Sequence, residues 1–372
     1  ILNHVLSDVK VCWRANLNND EFSDYFDNTT DNIPFIGSYN PEHALACVQS
    51  TPAGLHIFLF VFYLLVFLQA IAGNLVVVWV VCSSQNRLSP SELFLFHLAL
   101  ADLLLAVTLP LLAVSVLQGW LFGNVACKLV GMALEVNFYA SVLFLVCISA
   151  DRYMVVVHAA KEARGSYGGR STRSWVTCAF VWGLGSILSL PATIYNRAYL
   201  FPGKDGKMQC GEHYDISSAQ QWRLAMRMLS HLLGFLLPLA AMLGFYGVTI
   251  SRLVHTRGLR KHKAMRLIVA VVAAFLLCWC PYHVATMMDT LLRAELVESS
   301  CRRRHEADLA LKVTHSLGVL HCCVNPVLYA FVGEKFRTNL WRLTRKLCKR
   351  EPVTRLSRST STTSQDGNNA LM

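Results

Sequence analysis

Long stretches without a charged side chain constrain most strongly how this chain can fold. Residues 43–86, 174–196, 228–251, 267–288 and 313–333 contain no Asp, Glu, Lys or Arg. Two further apolar stretches carry one or two buried charges, residues 91–117 around Asp102 and residues 127–157 around Glu135. A helix needs about 20 apolar residues to cross a bilayer. The sequence therefore predicts seven membrane-spanning helices, which we number spans 1 to 7 in chain order.

The charge balance predicts how these spans sit in a membrane. Charged residues make up 15% of the chain and hydrophobic residues 54%, whereas about a quarter of a soluble domain is charged. With the amino terminus outside, the inner segments hold 21 Lys and Arg, against 13 in the outer segments and outer helix ends. Basic residues concentrate on the cytoplasmic side of membrane proteins. We therefore expect a multi-pass protein with an extracellular amino terminus.

The expected fold class is an all-α membrane protein, a seven-transmembrane helix bundle with a short amphipathic eighth helix at Glu334 to Leu347. Residues 1–50 would form an extracellular acidic segment of net charge −5, residues 51–333 the bundle, and residues 334–372 the cytoplasmic helix and tail. An acidic segment attracts basic ligands, and a basic inner face suits anionic membrane lipid. The net charge of +11 therefore requires no nucleic-acid partner.

Seven spans alone would fit a receptor, a transporter or an enzyme. The sequence contains no Gly-x-Ser-x-Gly motif for a serine nucleophile. The prolines of the spans do not recur as matched broken helices in the two halves, as inverted-repeat transporters require. Lys312 lies at the outer end of span 7, away from the middle where a retinal would need it. These observations favour a receptor and no enzymatic activity.

Motifs in the spans resemble those of rhodopsin-like G-protein-coupled receptors. Span 3 ends in Asp151-Arg152-Tyr153, span 6 contains Cys278-Trp279-Cys280-Pro281, and span 7 contains Asn325-Pro326-Val327-Leu328-Tyr329. The remaining spans contribute one matching residue each: Asn74, Asp102, Trp182 and Pro238. One such triplet alone would indicate little, but matching residues in all seven spans are specific for this class of receptor.

Other segments narrow this resemblance, which covers about residues 45–348. Thr108-Leu109-Pro110 and Trp120-Leu121-Phe122-Gly123 resemble chemokine receptors, and Glu135-Val136-Asn137-Phe138-Tyr139 resembles interleukin-8-type CXC chemokine receptors of neutrophils. The resemblance implies a plasma-membrane receptor that transmits CXC chemokine binding to an inhibitory-class heterotrimeric G protein and drives chemotaxis. Another CXC receptor, of the lymphocyte-homing type, and a non-signalling chemokine scavenger remain alternatives.

The resemblance implies a switch in the inner half of the bundle. Asp151 would hold Arg152 at rest, and Arg152 would meet the G protein when the receptor is active. Prolines weaken one helical turn each, so a helix can pivot there. The implied coupling and switch residues are Asp151, Arg152, Tyr153, Tyr246, Phe275, Trp279, Asn325, Pro326 and Tyr329.

The resemblance also implies a sodium ion, two disulfides and a glycan. Asp102, Asn74, Ser141 and Asn325 would hold the allosteric sodium, because oxygen ligands suit a hard cation; no other metal or cofactor is expected. Cys127 would pair with Cys210, and Cys47 with Cys301. Asn28-Thr29-Thr30 is a glycosylation sequon on an outer segment.

Eight residues form the expected ligand-binding set. They are Asp24, Tyr25 and Asp27 of the amino segment, Arg223, Arg227, Asp289 and Arg293 at outer helix ends, and His315, which stands where many chemokine receptors carry a glutamate. Arg223 and Arg227 share one helix face. The resemblance implies that they receive an acidic side chain from the ligand's amino terminus while Asp289 receives a basic one. A collar of lipid-facing charges is the alternative.

The tail and the end of span 3 bear on signalling. The tail carries seven Ser and Thr residues after a basic stretch: Ser357, Ser359, Thr360, Ser361, Thr362, Thr363 and Ser364. Phosphates added there by receptor kinases would recruit arrestin.

The end of span 3 differs from signalling relatives, because Met154, Val155 and Val156 stand in place of their Leu-Ala-Ile. The intact Asp151-Arg152-Tyr153 nevertheless argues against a scavenger.

Overall fold

The structure is a computed structural model, and its description covers most of the chain between residues 52 and 348. The described residues are 52–83, 88–157, 167–200, 206–215, 218–254, 259–294, 296–298, 300–332 and 334–348, of which 167–170, 253–254, 259–268, 329–332, 334–335 and 346–348 are described by their backbone alone. Asp24, Tyr25, Asp27, Asn28 and Cys47 therefore lie outside the described residues. Predictions about them stay predictions.

The described chain is helical apart from one hairpin. The helices are α1 (Ala53–Cys82), α2 (Pro90–Ala106), α3 (Leu109–Gln118), α4 (Gly123–Val157), α5 (Tyr167–Leu188), α6 (Leu190–Tyr195), α7 (Ala219–His231), α8 (Leu237–Val254), α9 (Leu259–Arg293), α10 (Cys301–Val319), α11 (His321–Val332) and α12 (Glu334–Cys348), with strands β1 (Asn196–Leu200) and β2 (Met208–Glu212). A π-helical turn at Leu232–Leu236 joins α7 and α8. Span 1 is α1, span 2 is α2 with α3, span 3 is α4, span 4 is α5 with α6, span 5 is α7 with α8, span 6 is α9, and span 7 is α10 with α11.

Burial in this bundle is inverted relative to a soluble protein. Asn74, Asp102 and Ser141 are fully buried, whereas Ile57 and Leu65 are about 60% exposed. Large apolar side chains on the outside are stable in lipid, and polar side chains must then be satisfied inside the bundle. The described helices therefore form a membrane bundle.

Within the described part of the chain, six helical segments are long and apolar enough to cross a membrane: Ala53–Cys82, Pro90–Gln118, Gly123–Val157, Ser171–Tyr195, Ala219–Arg252 and Val269–Arg293. These match the first six predicted spans. Span 7 falls short by this criterion because α10 opens with charged residues and the helix is interrupted at Leu320, which divides the apolar run between α10 and α11.

Local sequence explains where several helices start and bend. Ser89 caps α2 through a reciprocal bond with Glu92, and Pro90 occupies the first turn, where its missing N–H is no loss. Span 2 bends where Thr108 donates to the carbonyl of Leu105 at 2.7 Å, two residues before Pro110. In the π-helical turn, Gly234 lies directly against the Phe138 ring, so a side chain there would collide with span 3.

The hairpin covers one end of the bundle, which we call the hairpin end; the opposite end, beside α12, is the tail end. β1 and β2 pair antiparallel, with Ala198 opposite Cys210. Cys210 forms a disulfide with Cys127 at the start of span 3, with the two Cα atoms 5.5 Å apart. The predicted Cys127–Cys210 pairing is confirmed, and it ties the hairpin across the top of the bundle.

The segment predicted as an eighth helix is α12. It ends at Cys348, one residue beyond the predicted Leu347. Trp341 is 61% exposed, and the Arg345 guanidinium lies 4.8 Å from the centre of its ring. An exposed aromatic ring beside a cation is typical of a helix lying at a membrane interface.

Candidate functional site

A cavity of about 1060 Å³ opens at the hairpin end. All seven spans and the hairpin contribute to its wall, which includes Tyr63, Glu135, Arg227, Tyr282, His315 and Glu212. A cleft of this size between helices, with polar groups set in an apolar wall, is the usual form of a ligand site.

Charged side chains form a continuous chain of ion pairs at the rim of this cavity. Arg227 donates to Asp289 at 2.6 Å and to the Thr290 hydroxyl at 2.9 Å. Arg293 also donates to Asp289, through Nε at 2.8 and 2.9 Å, and reaches Asp308 of span 7 at 3.0 Å. Spans 5, 6 and 7 are thereby joined at the hairpin end.

This arrangement differs from the expectation that Asp289 stands ready for a basic group of the ligand. The Asp289 side chain is only 1% exposed and already carries both Arg227 and Arg293. Two guanidinium groups on one buried carboxylate satisfy its charge more fully than water could at this depth. A ligand must therefore exchange partners at this site rather than fill an empty one.

Arg223 does not belong to the series of ion pairs that joins Arg227, Asp289 and Arg293. Among the described residues, it forms no ion pair within 4 Å, although Glu212, Arg227, Asp289 and Arg293 lie near enough to influence it. Beside Arg223, burial and the adjacent Glu212 carboxylate raise the pKa of Tyr214, which follows the hairpin. Burial likewise raises the pKa of Tyr199. Both phenols therefore stay neutral hydrogen-bond donors.

His315 lies in the wall of the cavity, as its position suggested. Its ring centre is 5.5 Å from that of Tyr282 and 6.3 Å from that of Trp279. The imidazole therefore joins the cavity to the aromatic cluster below it.

Trp279 is the centre of this aromatic cluster. Its ring lies 4.7 Å from Phe138, 6.2 Å from Phe275 and 5.6 Å from His321, measured between centroids. Gly318 lets span 7 approach closely, because a Cβ there would sit 3.0 Å from the indole. Movement of this indole would therefore shift spans 3, 6 and 7 together.

The predicted sodium residues lie together beneath Trp279. Asn325 donates to Asp102 at 2.9 Å, Asn137 donates weakly to Asp102 at 3.4 Å and to Ser141 at 3.3 Å, and His321 Nε2 lies 3.6 Å from Asp102. Asn74 instead donates to the carbonyls of Ala70 and Cys322. No Lys or Arg within the described part of the chain pairs with the fully buried Asp102, so this donor set fits a monovalent cation.

The structure departs from the sequence prediction at the inner end of span 3. The ion pairs between described residues do not include Asp151–Arg152; Asp151 accepts a hydrogen bond from Ser91 of span 2. Consecutive helical residues point about 100° apart, so Asp151 faces span 2 while Arg152 faces elsewhere. The Arg152 Nε atom is buried and has no hydrogen-bond partner among the described residues.

The other switch residues surround this end of span 3. Tyr246 of span 5 is hydrogen-bonded to Ser149 at 2.9 Å, and the Tyr153 ring lies 5.5 Å from Phe245. Nothing is described of the Tyr329 side chain. The Tyr246 hydroxyl of span 5 and the buried Arg152 of span 3 therefore lie on neighbouring spans at this end of the bundle.

Sequence reasoning missed one polar pair in the cavity wall. His231 of span 5 and His283 of span 6 place their Nδ1 atoms 2.8 Å apart, and both Nε2 atoms lack a partner among the described residues. Each histidine stands alone in an apolar run, so no spacing along the chain could have joined them.

Only one cysteine of the second predicted disulfide lies among the described residues. Cys301 is disulfide-bonded, but Cys47 lies outside the described residues. The Cys47–Cys301 pairing therefore stays a prediction.

A membrane bundle with a ligand cavity at one end, a buried polar network at its centre and an Asp-Arg-Tyr motif at the other end defines a seven-helix receptor. Residues 73–329 match the family described as "7 transmembrane receptor (rhodopsin family)".

Full-length relatives narrow this class. The chain is 40% identical over 349 residues to C-X-C chemokine receptor type 1 of Oryctolagus cuniculus, covering 93% of this chain and 95% of that one. It is 38% identical over 331 residues to C-X-C chemokine receptor type 2 of Homo sapiens, covering 88% and 90%. It is also 44% identical over 282 residues to C-X-C chemokine receptor type 1 of Mus musculus, covering 75% and 78%. The chain belongs to the C-X-C chemokine receptor family of rhodopsin-type receptors, which are signalling receptors and not enzymes.

Proposed function

We propose that this protein is an interleukin-8-type chemokine receptor of the plasma membrane, with its hairpin end outside the cell. It binds a CXC chemokine, activates an inhibitory-class heterotrimeric G protein and drives neutrophil chemotaxis. The similarity to C-X-C chemokine receptors of types 1 and 2 over most of the chain supports this assignment.

The Arg227–Asp289–Arg293 chain at the cavity rim is the observation that carries the proposal. A chemokine that begins with Glu-Leu-Arg brings one acid and one base. Its glutamate takes Arg227, with Arg223 beside it, and its arginine takes the vacated side of Asp289. The exchange replaces the Arg227–Asp289 ion pair with two receptor–ligand ion pairs, and it thereby loosens the link between spans 5 and 6.

Loosening that link gives the signal a physical route. The cluster around Trp279 lies between the cavity and the Asp102 network, where we propose that sodium binds through Asp102, Ser141 and Asn325 in the resting state. When span 6 moves outward at the tail end, Arg152 and Tyr246 become available to the G protein. Kinases and arrestin then act on the Ser/Thr tail.

A nucleotide-exchange assay in membranes tests the proposal. Interleukin-8 should stimulate exchange on an inhibitory-class G protein at nanomolar concentration, and a lymphocyte-homing chemokine should not. Stimulation by the second chemokine alone would instead favour the lymphocyte-homing alternative. High-affinity chemokine binding with no exchange would identify a scavenger.

A further inference from the structure

The floor of the cavity contains an acid that the rim mechanism does not use. Glu135, Ser230, Tyr282 and His315 line the large cavity and also a small void of about 40 Å³ below it. Trp279 and Asn137 line the same small void. These four residues therefore form a thin partition between the ligand cavity and the Trp279 cluster.

Among the described residues, Glu135 has no cation partner. None of the ion pairs or hydrogen bonds between described residues includes it, whereas Asp289 at the rim already carries two guanidinium groups. A carboxylate set inside a membrane bundle is costly unless a cation or donors compensate it. The side chain lines the cavity, so a compensating group can arrive from there.

The surroundings of Glu135 suit an organic cation. Tyr139 and Tyr282 lie close enough to interact electrostatically with the carboxylate, and their rings also line the cavity. Aromatic faces and a carboxylate together bind guanidinium or ammonium groups. The neighbouring polar side chain that span 7 contributes to this floor is His315, so the acid of the floor lies on span 3.

We propose that Glu135, Tyr139 and Tyr282 form a cation subsite that binds a guanidinium or ammonium group of the ligand, directly above Trp279. Only the identity of that ligand rests on the proposed function. A cation at this depth pushes on the partition and changes the void against which the Trp279 indole packs. The rim then selects the ligand, and the floor triggers the switch.

A small probe tests the subsite without any chemokine. Thermal unfolding of the purified full chain is measured with benzylguanidinium and with the uncharged benzylurea. Benzylguanidinium at about ten times its dissociation constant should raise the midpoint of the wild type by about 3 °C, and benzylurea should not. Glu135→Gln should abolish the shift. Glu135→Asp keeps the negative charge and should retain part of the shift, and it serves as the test if Glu135→Gln fails to fold.

Glu298→Gln is the matched control, because the Glu298 side chain is 86% exposed and is not among the residues that line the cavity. That variant should keep the wild-type shift. An equal shift in wild type and Glu135→Gln, or no shift in either, overturns the subsite.

Two chemokine variants identify the source of the cation. Glu135→Gln should weaken activation by interleukin-8 at least tenfold. With the Glu-Leu-Arg arginine at Asp289, the free amino terminus is the ammonium group left for Glu135, so the loss should vanish for amino-terminally acetylated interleukin-8. A loss that vanishes instead when that arginine is changed to glutamine would place the arginine at Glu135 and not at Asp289. Equal losses for all three forms overturn the assignment of the subsite to the ligand. A receptor that binds benzylguanidinium through Glu135 but ignores interleukin-8 refutes the proposed function and leaves the cation subsite standing.

Discussion

Removal of the Arg227 side chain is the sharpest perturbation of the rim. Arg227→Ala deletes a 2.6 Å ion pair with Asp289 and a 2.9 Å bond to Thr290. Truncating one partner of a partly desolvated pair costs about 2 to 5 kcal/mol in binding. Arg293 still neutralises Asp289 in the variant, so we take the lower end, about 2 kcal/mol, which corresponds to about thirtyfold in affinity at about 1.4 kcal/mol per decade.

The assay compares two ligands on the same receptor. Arg227→Ala should lose about thirtyfold in potency with a Glu-Leu-Arg chemokine, yet lose little further with the same chemokine lacking that glutamate. Arg302→Ala is the control, because the Arg302 side chain is 84% exposed and solvent screens its pair with Glu306, which therefore contributes little. Equal losses with both ligands would mean that Arg227 supports the fold and does not recognise the ligand.

Three further perturbations test other parts of the account. Deletion of residues 20–40 should slow chemokine association and flatten its salt dependence, because exposed charges are screened beyond about 8 Å at physiological salt; unchanged association rates would refute electrostatic capture. Cys127→Ala should reduce surface expression and binding more than Cys301→Ala, because the first disulfide anchors the hairpin over the cavity; equal effects would contradict this ranking. Asp102→Asn should remove the sensitivity of agonist affinity to sodium, and a variant that keeps it would place the ion elsewhere.

The sequence predicted the bundle well because membrane burial leaves a strong signal. Charge-free stretches located spans 1, 4, 5 and 6, and apolar stretches around Asp102 and Glu135 located spans 2 and 3, since charged side chains in lipid are costly and therefore few. Span 7 was predicted as one helix, but the chain breaks at Leu320, where no proline or glycine stands. Gly318, two residues earlier, packs against Trp279, a tertiary contact that the sequence does not reveal.

Contacts between distant residues explain what the sequence could not predict. Asp151 bonds to Ser91, 60 residues away, whereas proximity along the chain suggested Arg152. His231 and His283 meet across 52 residues. The partner of Asp289 could be anticipated only in part: Arg293 is one turn along the same helix, but Arg227 reaches it from span 5.

The reciprocity between ligand and G protein tests the central claim most directly. If the cavity at the hairpin end and Arg152 at the tail end are coupled, each partner must strengthen the other's binding by the same factor, typically 5- to 150-fold, that is, about 1 to 3 kcal/mol. Competition binding of interleukin-8 is measured in membranes with nucleotide-free inhibitory-class G protein and again after GTP is added. The account predicts at least tenfold tighter binding with the nucleotide-free G protein, and Arg152→Ala should keep the weaker affinity while losing the shift. Identical affinities with and without the G protein in the wild type would contradict a signalling receptor.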